Sequence, residues 1–520
     1  MASLYTEKSA ETRRVEKRSA MVYSSAMTEK NIRKCGLLIH PTSFPSPFGI
    51  GDLGAEARDF LRTASDAGVR LWQILPLGPT GYGDSPYASR SCFAGNEYLI
   101  DLRSIPGIRT VFTPPEGSEY GNVDYNAVYS YKLPLLKQAA AEFLELNPGD
   151  RQFAAFCREA SFWLDDYALY RALVDEKQDS RWFVWEPGLK NRNEKTLESY
   201  RQKLAPQIRV WKALQYFFFA QWKALHEYAS SVGISIVGDI PIFAASDSVD
   251  VWVNRSLFKF DSKGNQKAGA GVPPDAFSPD GQLWGNPVYD WEAHAKDDYA
   301  WWKSRMKHML SMVDVVRIDH FRGFESYWEV PSGSSTAKEG QWLPGPGMKL
   351  LKHFRKYSII AEDLGIITDQ VVELLDKTGW PGMKIVQFAF ELRDGWIATD
   401  NPYLPHNYIT NCVAYSGTHD NQTTRGWFNS LSDQYRDLVR RYFQCPDEEV
   451  VWQVMRSLLA SSANTVIFPV QDLLGLDDSA RMNAPSTVGS FNWSWRMEPG
   501  AIRSWMTDRL REYIRLYGRA

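Results

Sequence analysis

Eight short apolar runs, rich in β-branched residues, recur along this 520-residue chain. They cover residues 35–40, 69–75, 234–239, 313–319, 358–362, 383–390, 411–415 and 465–470. Runs of this length and composition are typical of buried parallel strands. Most are followed, after a loop, by apolar residues at helical spacing, and the first such helix is predicted to end at Gly68. The number and the alternation predict an α/β fold, a (β/α)8 TIM barrel, rather than an open doubly wound sheet.

The spacing of the runs also predicts how the chain is divided. We expect residues 33–520 to form one catalytic barrel. The interval between the second and third runs is far longer than an ordinary connection, so a large, mainly helical insertion is expected at 100–210. Residues 1–32 are rich in Ser, Lys, Arg and Glu and are expected to be a disordered leader.

A second insertion is expected at residues 242–289. Its stretch 271–287 is dense in Gly and Pro, which we take to exclude regular secondary structure. Phe277 and Trp284 are costly side chains to leave in a bare linker. We therefore interpret this segment as a loop that forms one wall of a substrate groove.

Composition excludes several classes of partner and compartment. The formal net charge is −3, from 59 Lys and Arg against 62 Asp and Glu, and the signs are mixed, so neither nucleic acid nor a membrane is an expected partner. No apolar run approaches the roughly 18 residues that span a bilayer, so we expect a soluble protein. Five scattered cysteines without a CxxC pair favour a reducing compartment. A cytoplasmic location fits best, with the plastid stroma as the alternative if residues 1–32 belong to a transit peptide.

Four acidic residues lie at the end of four of the runs or shortly after it. They are Asp239, Asp319, Glu362 and Asp420. In a barrel, residues at the carboxyl ends of the strands face the active site, so these side chains are expected to converge at one mouth. A single acid in this position is more often a helix cap or a loop salt bridge, but four are harder to explain that way. Two carboxyl groups that flank one bond suit glycosidic chemistry.

Asp319 and Glu362 follow neighbouring predicted strands and so form the candidate reacting pair. Retaining chemistry needs an ionised carboxylate as nucleophile and a protonated carboxyl as acid, about 5–5.5 Å apart. Arg317 lies two residues before Asp319, on the same side of the strand, and would favour its ionised form. Glu362 would have to stay protonated through partial burial or through repulsion by other acids.

Three histidines and an aromatic residue are candidates for contacts with sugar. His419 beside Asp420 can hydrogen-bond sugar hydroxyls, and His320 and His40 are further candidates. A purely supporting role for the histidines remains equally open. Trp284 suits a sugar face, although such residues more often serve packing.

Several stretches resemble a known family. Segments 239–243, 317–323, 361–365 and 417–423 resemble the four signature regions of the α-amylase clan. The similarity is closer to its 4-α-glucanotransferase branch, glycoside hydrolase family 77, also called amylomaltases or disproportionating enzymes. Segments 40–54, 81–87 and 273–287 resemble that branch as well. The resemblance covers about residues 35–500.

The resemblance implies a barrel with helical insertions and no separate C-terminal β-domain. It implies that Asp319 is the nucleophile, Glu362 the acid/base and Asp420 the stabiliser of the transition state. The positions that it matches to substrate binding are Arg317, His320, His419, Asp239, Trp284, Tyr82, Asn286 and Asn492.

The implied reaction moves a maltooligosaccharide segment from an α-1,4-glucan to the 4-hydroxyl of an acceptor glucan or of glucose, through a glycosyl-Asp intermediate. Neither a cofactor nor a metal is implied. A monomer or a homodimer is expected.

Other functions stay open at this point. Transfer and hydrolysis use the same acids, so the preference for transfer needs an acceptor site, which we expect the 242–289 loop to build with Tyr82 and Tyr87. An α-glucan hydrolase is the nearest alternative. A divalent-metal-dependent barrel lyase or isomerase would use Asp239, Asp319, Glu362 and Asp363 as ligands, although Arg317 beside them argues against it. A non-catalytic glucan-binding protein would lack the nucleophile or the acid, and neither is missing.

Overall fold

The computed structural model describes residues 33–274 and 278–519. The predicted leader at 1–32 and Phe277 lie outside these residues. The strands, in chain order, are β1 (Lys34–Leu38), β2 (Leu71–Gln73), β3 (Ser235–Ile240), β4 (Ala268–Val272), β5 (Gln282–Pro287), β6 (Val315–Ile318), β7 (Ser326–Pro331), β8 (Gln341–Pro344), β9 (Ile359–Ala361), β10 (Gly382–Ile385), β11 (Leu392–Arg393), β12 (Trp396–Ile397), β13 (Cys412–Tyr415) and β14 (Thr465–Pro469).

Eight of these strands form the predicted (β/α)8 barrel. They are parallel and lie in the order β10-β13-β14-β1-β2-β3-β6-β9. The barrel closes between β9 and β10, where the Ala361 amide donates a 2.9 Å hydrogen bond to the Pro381 carbonyl. The Asp363 carboxylate also accepts a 2.6 Å hydrogen bond from the Met383 amide across this seam. Each of the eight predicted runs overlaps one barrel strand, so the predicted fold is confirmed.

The barrel interior is filled by the β-branched and apolar residues of the runs. Leu71, Val237, Ile360, Val413 and Ile467 come from five different strands and belong to one buried cluster. A second, larger cluster joins the outer faces of the strands to the helices. Burial on both faces explains why the runs are continuously apolar instead of alternating.

Helices cover the barrel and fill the long connections. Their bounds are Ala55–Asp66, Tyr125–Leu146, Arg151–Glu159, Ser161–Lys177, Pro187–Lys190, Glu194–Lys203, Ala205–Ser231, Val249–Val253, Trp291–Lys296, Ala300–Met312, Met348–Leu351, Asp369–Thr378, Thr424–Ser430, Asp433–Phe443, Val450–Ala460, Val470–Leu473 and Ser504–Leu516. Six of them lie between β2 and β3. The first helix is followed by Gly68 with φ +88°, a left-handed conformation that glycine adopts without steric cost.

A second sheet corrects the expectation that residues 271–287 lack regular structure. β4 and β5 pair in antiparallel fashion and join β7 and β8 in a four-stranded sheet of order β5-β4-β7-β8. The glycines permit close pairing, since a Cβ atom at Gly271 would lie 2.3 Å from the Gln282 carbonyl oxygen. The sheet therefore combines the segment after β3 with the segment after β6.

Two further observations concern the chain as a whole. Within residues 33–274 and 278–519, no helix combines the length and the apolar character that crossing a membrane requires. In the same residues no strand follows β14, and the last element is the helix Ser504–Leu516. The structure described thus has no separate C-terminal β-domain.

Candidate active site

The register of three neighbouring strands brings the candidate acids to one rim of the barrel. Asp239 in β3 is level with Arg317 in β6, and Ile318 is level with Ala361 in β9. Asp319 and Glu362 are the next residues of β6 and β9, so they leave the barrel side by side. Backbone hydrogen bonds hold this arrangement, because the Asp319 amide donates to Ile240 (3.1 Å) and the Glu362 amide to Ile318 (3.0 Å).

Arg317 joins two of the acids. Its Nη1 atom lies 2.6 Å from Asp239 Oδ2 and 3.0 Å from Asp319 Oδ1. The arginine and Asp239 are buried, whereas the Asp319 side chain is 28% exposed and open to solvent. Burial raises the pKa of Asp239 to about 6 although the Arg317 charge opposes this shift. Asp319 is therefore the acid of this group that a substrate can reach.

Glu362 has a different environment from Asp319. Its Oε2 atom accepts a 2.7 Å hydrogen bond from the His320 amide, and its Oε1 atom accepts a 3.0 Å bond from the Leu364 amide. Burial, followed by the charge of Asp319, raises the pKa of Glu362 to about 8. Glu362 is therefore protonated at neutral pH, the state in which a carboxyl group can donate a proton.

His320 turns the chain directly after Asp319. Its backbone is left-handed, with φ +52°, which directs its amide toward Glu362. Its ring packs edge-to-face against Trp284 in β5, with 4.8 Å between ring centroids. Burial lowers the pKa of His320 to about 4, so the ring is neutral at pH 7. Trp284 is 37% exposed and lies at the same rim through this contact.

Asp420 and His419 form a second pair after β13. His419 Nε2 lies 3.3 Å from Asp420 Oδ2, and the Asn483 amide group donates a 2.7 Å hydrogen bond to Asp420 Oδ1. Burial alone would raise the pKa of Asp420, but the His419 charge and these hydrogen bonds lower it to about 2. Asp420 is thus ionised across the physiological range.

Tyr87 links the two pairs. Its ring stacks on His419, with 5.0 Å between centroids and 12° between planes. Its hydroxyl donates a 2.7 Å hydrogen bond to Asp239 Oδ2, the oxygen that also contacts Arg317. The acids after β3, β6, β9 and β13 are therefore part of one connected site.

The remaining predicted residues lie in more varied places. Tyr82 is 75% exposed on a turn after β2. Asn286 in β5 donates a 3.0 Å hydrogen bond to the Ala244 carbonyl, which ties the second sheet to the barrel. His40 follows β1 and is buried close to His419.

Asn492 has a supporting position in this structure. It is 3% exposed, its Oδ1 atom accepts a 2.9 Å hydrogen bond from the Ala484 amide, and its Nδ2 atom donates to the carbonyl and hydroxyl oxygens of Thr487. Both of its donor hydrogens are engaged in this way. Asn492 therefore holds the loop 484–492 together.

Sequence reasoning missed two carboxylates that hold the loop after β13. Asp472 accepts hydrogen bonds from the Ser416 hydroxyl (2.5 Å) and the Thr424 amide (2.7 Å). Asp478 accepts a 2.5 Å hydrogen bond from the Gln422 side chain. Asp472 follows the eighth run, so the signal that marked the other acids was present for it too. Asp478 carries no such signal.

Donors for a metal do not come together in this site. In the described parts of the chain, no group of three or more His, Cys, Asp and Glu side chains is arranged to hold a metal ion. Asp363, one of the acids considered as a ligand, contacts the Met383 amide at the barrel seam instead. The arrangement combines the solvent-accessible carboxyl group of Asp319 with the buried carboxyl group of Glu362, whose pKa is raised. Such a pair suits acid and nucleophilic chemistry.

Comparisons with known proteins match this chain to one family over most of its length. The model of glycoside hydrolase family 77, described as 4-alpha-glucanotransferase, matches residues 39–502. The chain is 45% identical over 493 residues to a 4-alpha-glucanotransferase from Thermus thermophilus, covering 92% of this chain and 97% of the relative. It is 41% identical over 506 residues to a chloroplastic/amyloplastic 4-alpha-glucanotransferase from Solanum tuberosum, covering 94% and 86%.

A solved structure is similar over nearly the whole chain. It is an amylomaltase from Streptococcus agalactiae in complex with acarbose, with a TM-score of 0.87 and 38% identity. The match covers 94% of this chain and 100% of that one.

Proposed function

This chain belongs to the 4-alpha-glucanotransferase family, glycoside hydrolase family 77, and from that membership we propose how its own residues divide the work of α-glucan transfer. The protein is an enzyme that transfers segments between α-glucans. The proposal concerns which groups carry the reaction. One observation carries it: the carboxyl groups of Asp319 and Glu362 leave neighbouring strands side by side. Asp319 is paired with Arg317 and open to solvent, whereas Glu362 is buried and its pKa is raised.

In the first step, Asp319 attacks the anomeric carbon of an α-1,4-linked glucose unit. The bond between that carbon and the bridging oxygen breaks, and Glu362 gives its proton to the leaving chain, which departs with a free 4-hydroxyl group. Asp319 becomes a β-linked glycosyl ester and Glu362 becomes a carboxylate. The low exposure of Glu362 supports the proton transfer, since burial keeps the group protonated beforehand.

In the second step the acceptor reverses these changes. The 4-hydroxyl of a glucan or of glucose gives its proton to Glu362 while its oxygen bonds to the anomeric carbon and Asp319 leaves. The new bond has the configuration of the old one. These steps use only groups of the protein and substrate, and we propose that they need neither a cofactor nor a metal, which assays with and without a chelator would test.

Asp420 and Arg317 are proposed to act through their own charges. The positive charge of the oxocarbenium-like transition state would be stabilised by ionised Asp420, which His419 and Asn483 hold in place. Arg317 would hold the Asp319 carboxylate in position through their 3.0 Å ion pair. His320, Trp284, Tyr82 and His40 are proposed to contact sugar, and Asn286 and Asn492 to shape the walls around it.

Incubation with pure maltotriose tests the proposal. Transfer gives glucose together with longer maltooligosaccharides, whereas a hydrolase gives only shorter products. Asp319→Ala and Glu362→Ala should each lower turnover by several orders of magnitude while glucan binding, measured by calorimetry, stays within about threefold. Near-normal turnover in either variant would refute the assignment, and products no longer than maltotriose would favour the hydrolase.

We also propose a location and an assembly state. The mixed charges of the chain and its scattered free cysteines support the cytoplasm. The plastid stroma is the alternative, since the Solanum tuberosum relative is named chloroplastic/amyloplastic. Imaging of the tagged full chain in its source cell would decide between them. Light scattering on a sizing column would test the expected monomer or homodimer.

A further inference from the structure

A short hairpin on the barrel presents an exposed tryptophan. β11 and β12 pair in antiparallel fashion, with Leu392 opposite Ile397 and Arg393 opposite Trp396. The first pair is half-buried, and Ile397 packs against the main hydrophobic core. The second pair points the other way, since successive side chains of a strand alternate between its two faces. Trp396 is 54% exposed, so its indole lies on the outward face of this hairpin, residues 392–397.

The turn of the hairpin fixes the direction of this ring. Asp394 and Gly395 both have a left-handed backbone, with φ +53° and +78°. Two such residues form the tight turn that matches the twist of paired strands, and Asp-Gly is a preferred sequence for it. Beyond the strands, the Ala398 amide donates a 2.9 Å hydrogen bond to the Glu391 carbonyl. The Trp396 indole is therefore carried by a paired backbone, and a ligand that bound there would have to order little of the chain.

The strand order places the hairpin beside the candidate acid. The barrel strands are parallel, and the barrel closes between β9 and β10, so β9 lies between β6 and β10. The segments that follow these three strands therefore leave the barrel at one rim. Asp319 follows β6, Glu362 follows β9, and the hairpin follows β10 after a short 3₁₀ turn. The hairpin thus flanks Glu362 on the side away from Asp319.

Side-chain contacts tie the base of the hairpin to the same place. The Asn401 side chain donates a 3.1 Å hydrogen bond to the Phe388 carbonyl and accepts a 2.8 Å bond from the Tyr403 amide. The rings of Phe388 and Tyr403 pack edge-to-face, with 5.6 Å between centroids. Burial raises the pKa of Tyr403 to about 12, and the charges of Asp363 and Glu362 add to this shift. The residues before and after the hairpin are therefore joined to each other close to Glu362, with the turn at the far end.

We propose that the outward face of hairpin 392–397 is part of the acceptor site, with the Trp396 indole as the platform for a glucose ring beyond the first unit of the acceptor chain. The inference rests on the proposed transfer reaction and adds the part of the chain that selects the acceptor. The anomeric carbon bonds to Asp319, whereas Glu362 takes the proton of the acceptor hydroxyl, so the acceptor lies on the Glu362 side of the reacting bond. The hairpin lies on that side.

The position of the indole predicts a selection by acceptor length. A flat aromatic ring offers a large rigid surface on which the apolar face of a sugar can pack. Phe388 and Tyr403 lie at the base of the hairpin beside Glu362, whereas Trp396 lies next to the turn at the other end. Glucose, which fills only the position next to Glu362, should not reach Trp396. Maltotriose should reach it.

Kinetics with a donor that cannot accept test the proposal. A maltosyl fluoride that lacks its terminal 4-hydroxyl group forms the glycosyl-enzyme but cannot receive a sugar. With this donor held constant, Trp396→Ala should raise KM for maltotriose as acceptor about tenfold, the effect of losing one aromatic contact. KM for glucose as acceptor and KM for the donor should stay unchanged. Trp396→Phe should keep most of the affinity. Trp505→Ala is the matched control, since Trp505 is 52% exposed but lies in the C-terminal helix.

Fluorine magnetic resonance tests the contact without any turnover. The full chain carrying Asp319→Ala is labelled with fluorotryptophan, and the Trp396 signal is identified by its loss in Trp396→Phe. Maltotriose should shift this signal and glucose should not. The Trp505 signal, identified in the same way, should stay in place with both sugars.

Several outcomes would overturn the proposal. An unchanged KM for maltotriose in Trp396→Ala would do so, as would a Trp396 signal that maltotriose does not shift. An equal rise of KM for glucose and maltotriose would assign Trp396 to the packing around Glu362, and a rise of KM for the donor alone would place it on the donor side. If the native protein makes no longer oligosaccharides from maltotriose, the transfer reaction itself fails, and the acceptor site fails with it. The result with the native protein thus separates the two failures.

Discussion

The backbone amide of His320 donates a 2.7 Å hydrogen bond to the side chain of Glu362. His320, which directly follows the candidate nucleophile Asp319, therefore orients the carboxyl group of the candidate acid Glu362. This contact depends on the left-handed backbone of His320, with φ +52°. The two carboxyl groups are thus oriented by the same turn of the chain as well as by neighbouring strands.

The pH dependence of kcat/KM should reflect Glu362. Since the protonated form donates to the leaving chain and its pKa is raised to about 8, the rate should fall about tenfold per pH unit above that value. Glu362→Gln should lower kcat about 10²–10⁴-fold on maltotriose. With a maltosyl fluoride donor, whose fluoride leaves without a proton, the variant should recover formation of the glycosyl-enzyme. A variant that is equally slow with both donors would show that Glu362 is not the acid.

Glu362 should also make stability depend on pH. A carboxyl group in an unfolded chain has a pKa of about 4.3, whereas burial raises that of folded Glu362 to about 8. The folded state therefore binds the extra proton, and stability is lost progressively as pH rises between these values. The free energy of unfolding of Glu362→Gln relative to the native protein should rise over this window, by about 5 kcal/mol in all. Glu145→Gln, at an exposed helix position, should show a flat difference.

Arg317 should be essential for stability as well as for catalysis. Its removal would leave Asp239 buried without its partner, so Arg317→Ala should lower the free energy of unfolding by about 3–5 kcal/mol in urea titrations. Arg393→Ala removes an ion pair with Asp400 of similar length, 3.0 Å, but on the surface. It should change stability by less than about 1 kcal/mol. Equal effects of the two changes would contradict a buried charge network around Asp239.

Trp284 should affect substrate binding more than folding. Its indole is partly exposed on edge strand β5 and contacts the His320 ring, so Trp284→Ala should raise KM for maltotriose about tenfold, the effect of losing one aromatic contact with sugar. Trp505 in the C-terminal helix is 52% exposed, and Trp505→Ala should leave KM unchanged. A loss of stability without a change in KM would assign Trp284 to packing.

Much of the barrel, and the acids at the carboxyl ends of its strands, could be predicted because short stretches of sequence mark them. A buried parallel strand must be apolar along its length, so the runs at 313–319 and 358–362 are visible in the sequence, and the acid at the end of each run marks the rim. Asp319 and Glu362 then become neighbours through strand order alone.

The second sheet could not be predicted for a physical reason. The strand Ala268–Val272 has the sequence AGAGV, in which Val272 is the one side chain of the kind that is enriched in strands. Its stability comes from pairing with β7, a strand that lies more than 50 residues away along the chain. The contacts of Asn492 could not be predicted either. Whether its side-chain amide faces a sugar or its own loop depends on tertiary structure.

The pairing of β4 with β7 constrains how this groove can be redesigned. β5, which carries Trp284, is held in the sheet by its pairing with β4. β7 begins a few residues after His320. A graft that exchanged only the 242–289 segment would replace β4 and β5 but keep β7 and β8. The backbone hydrogen bonds between β4 and β7 would then join strands from two different proteins. Donor specificity should therefore be transplanted between relatives by swapping both segments as a single cassette.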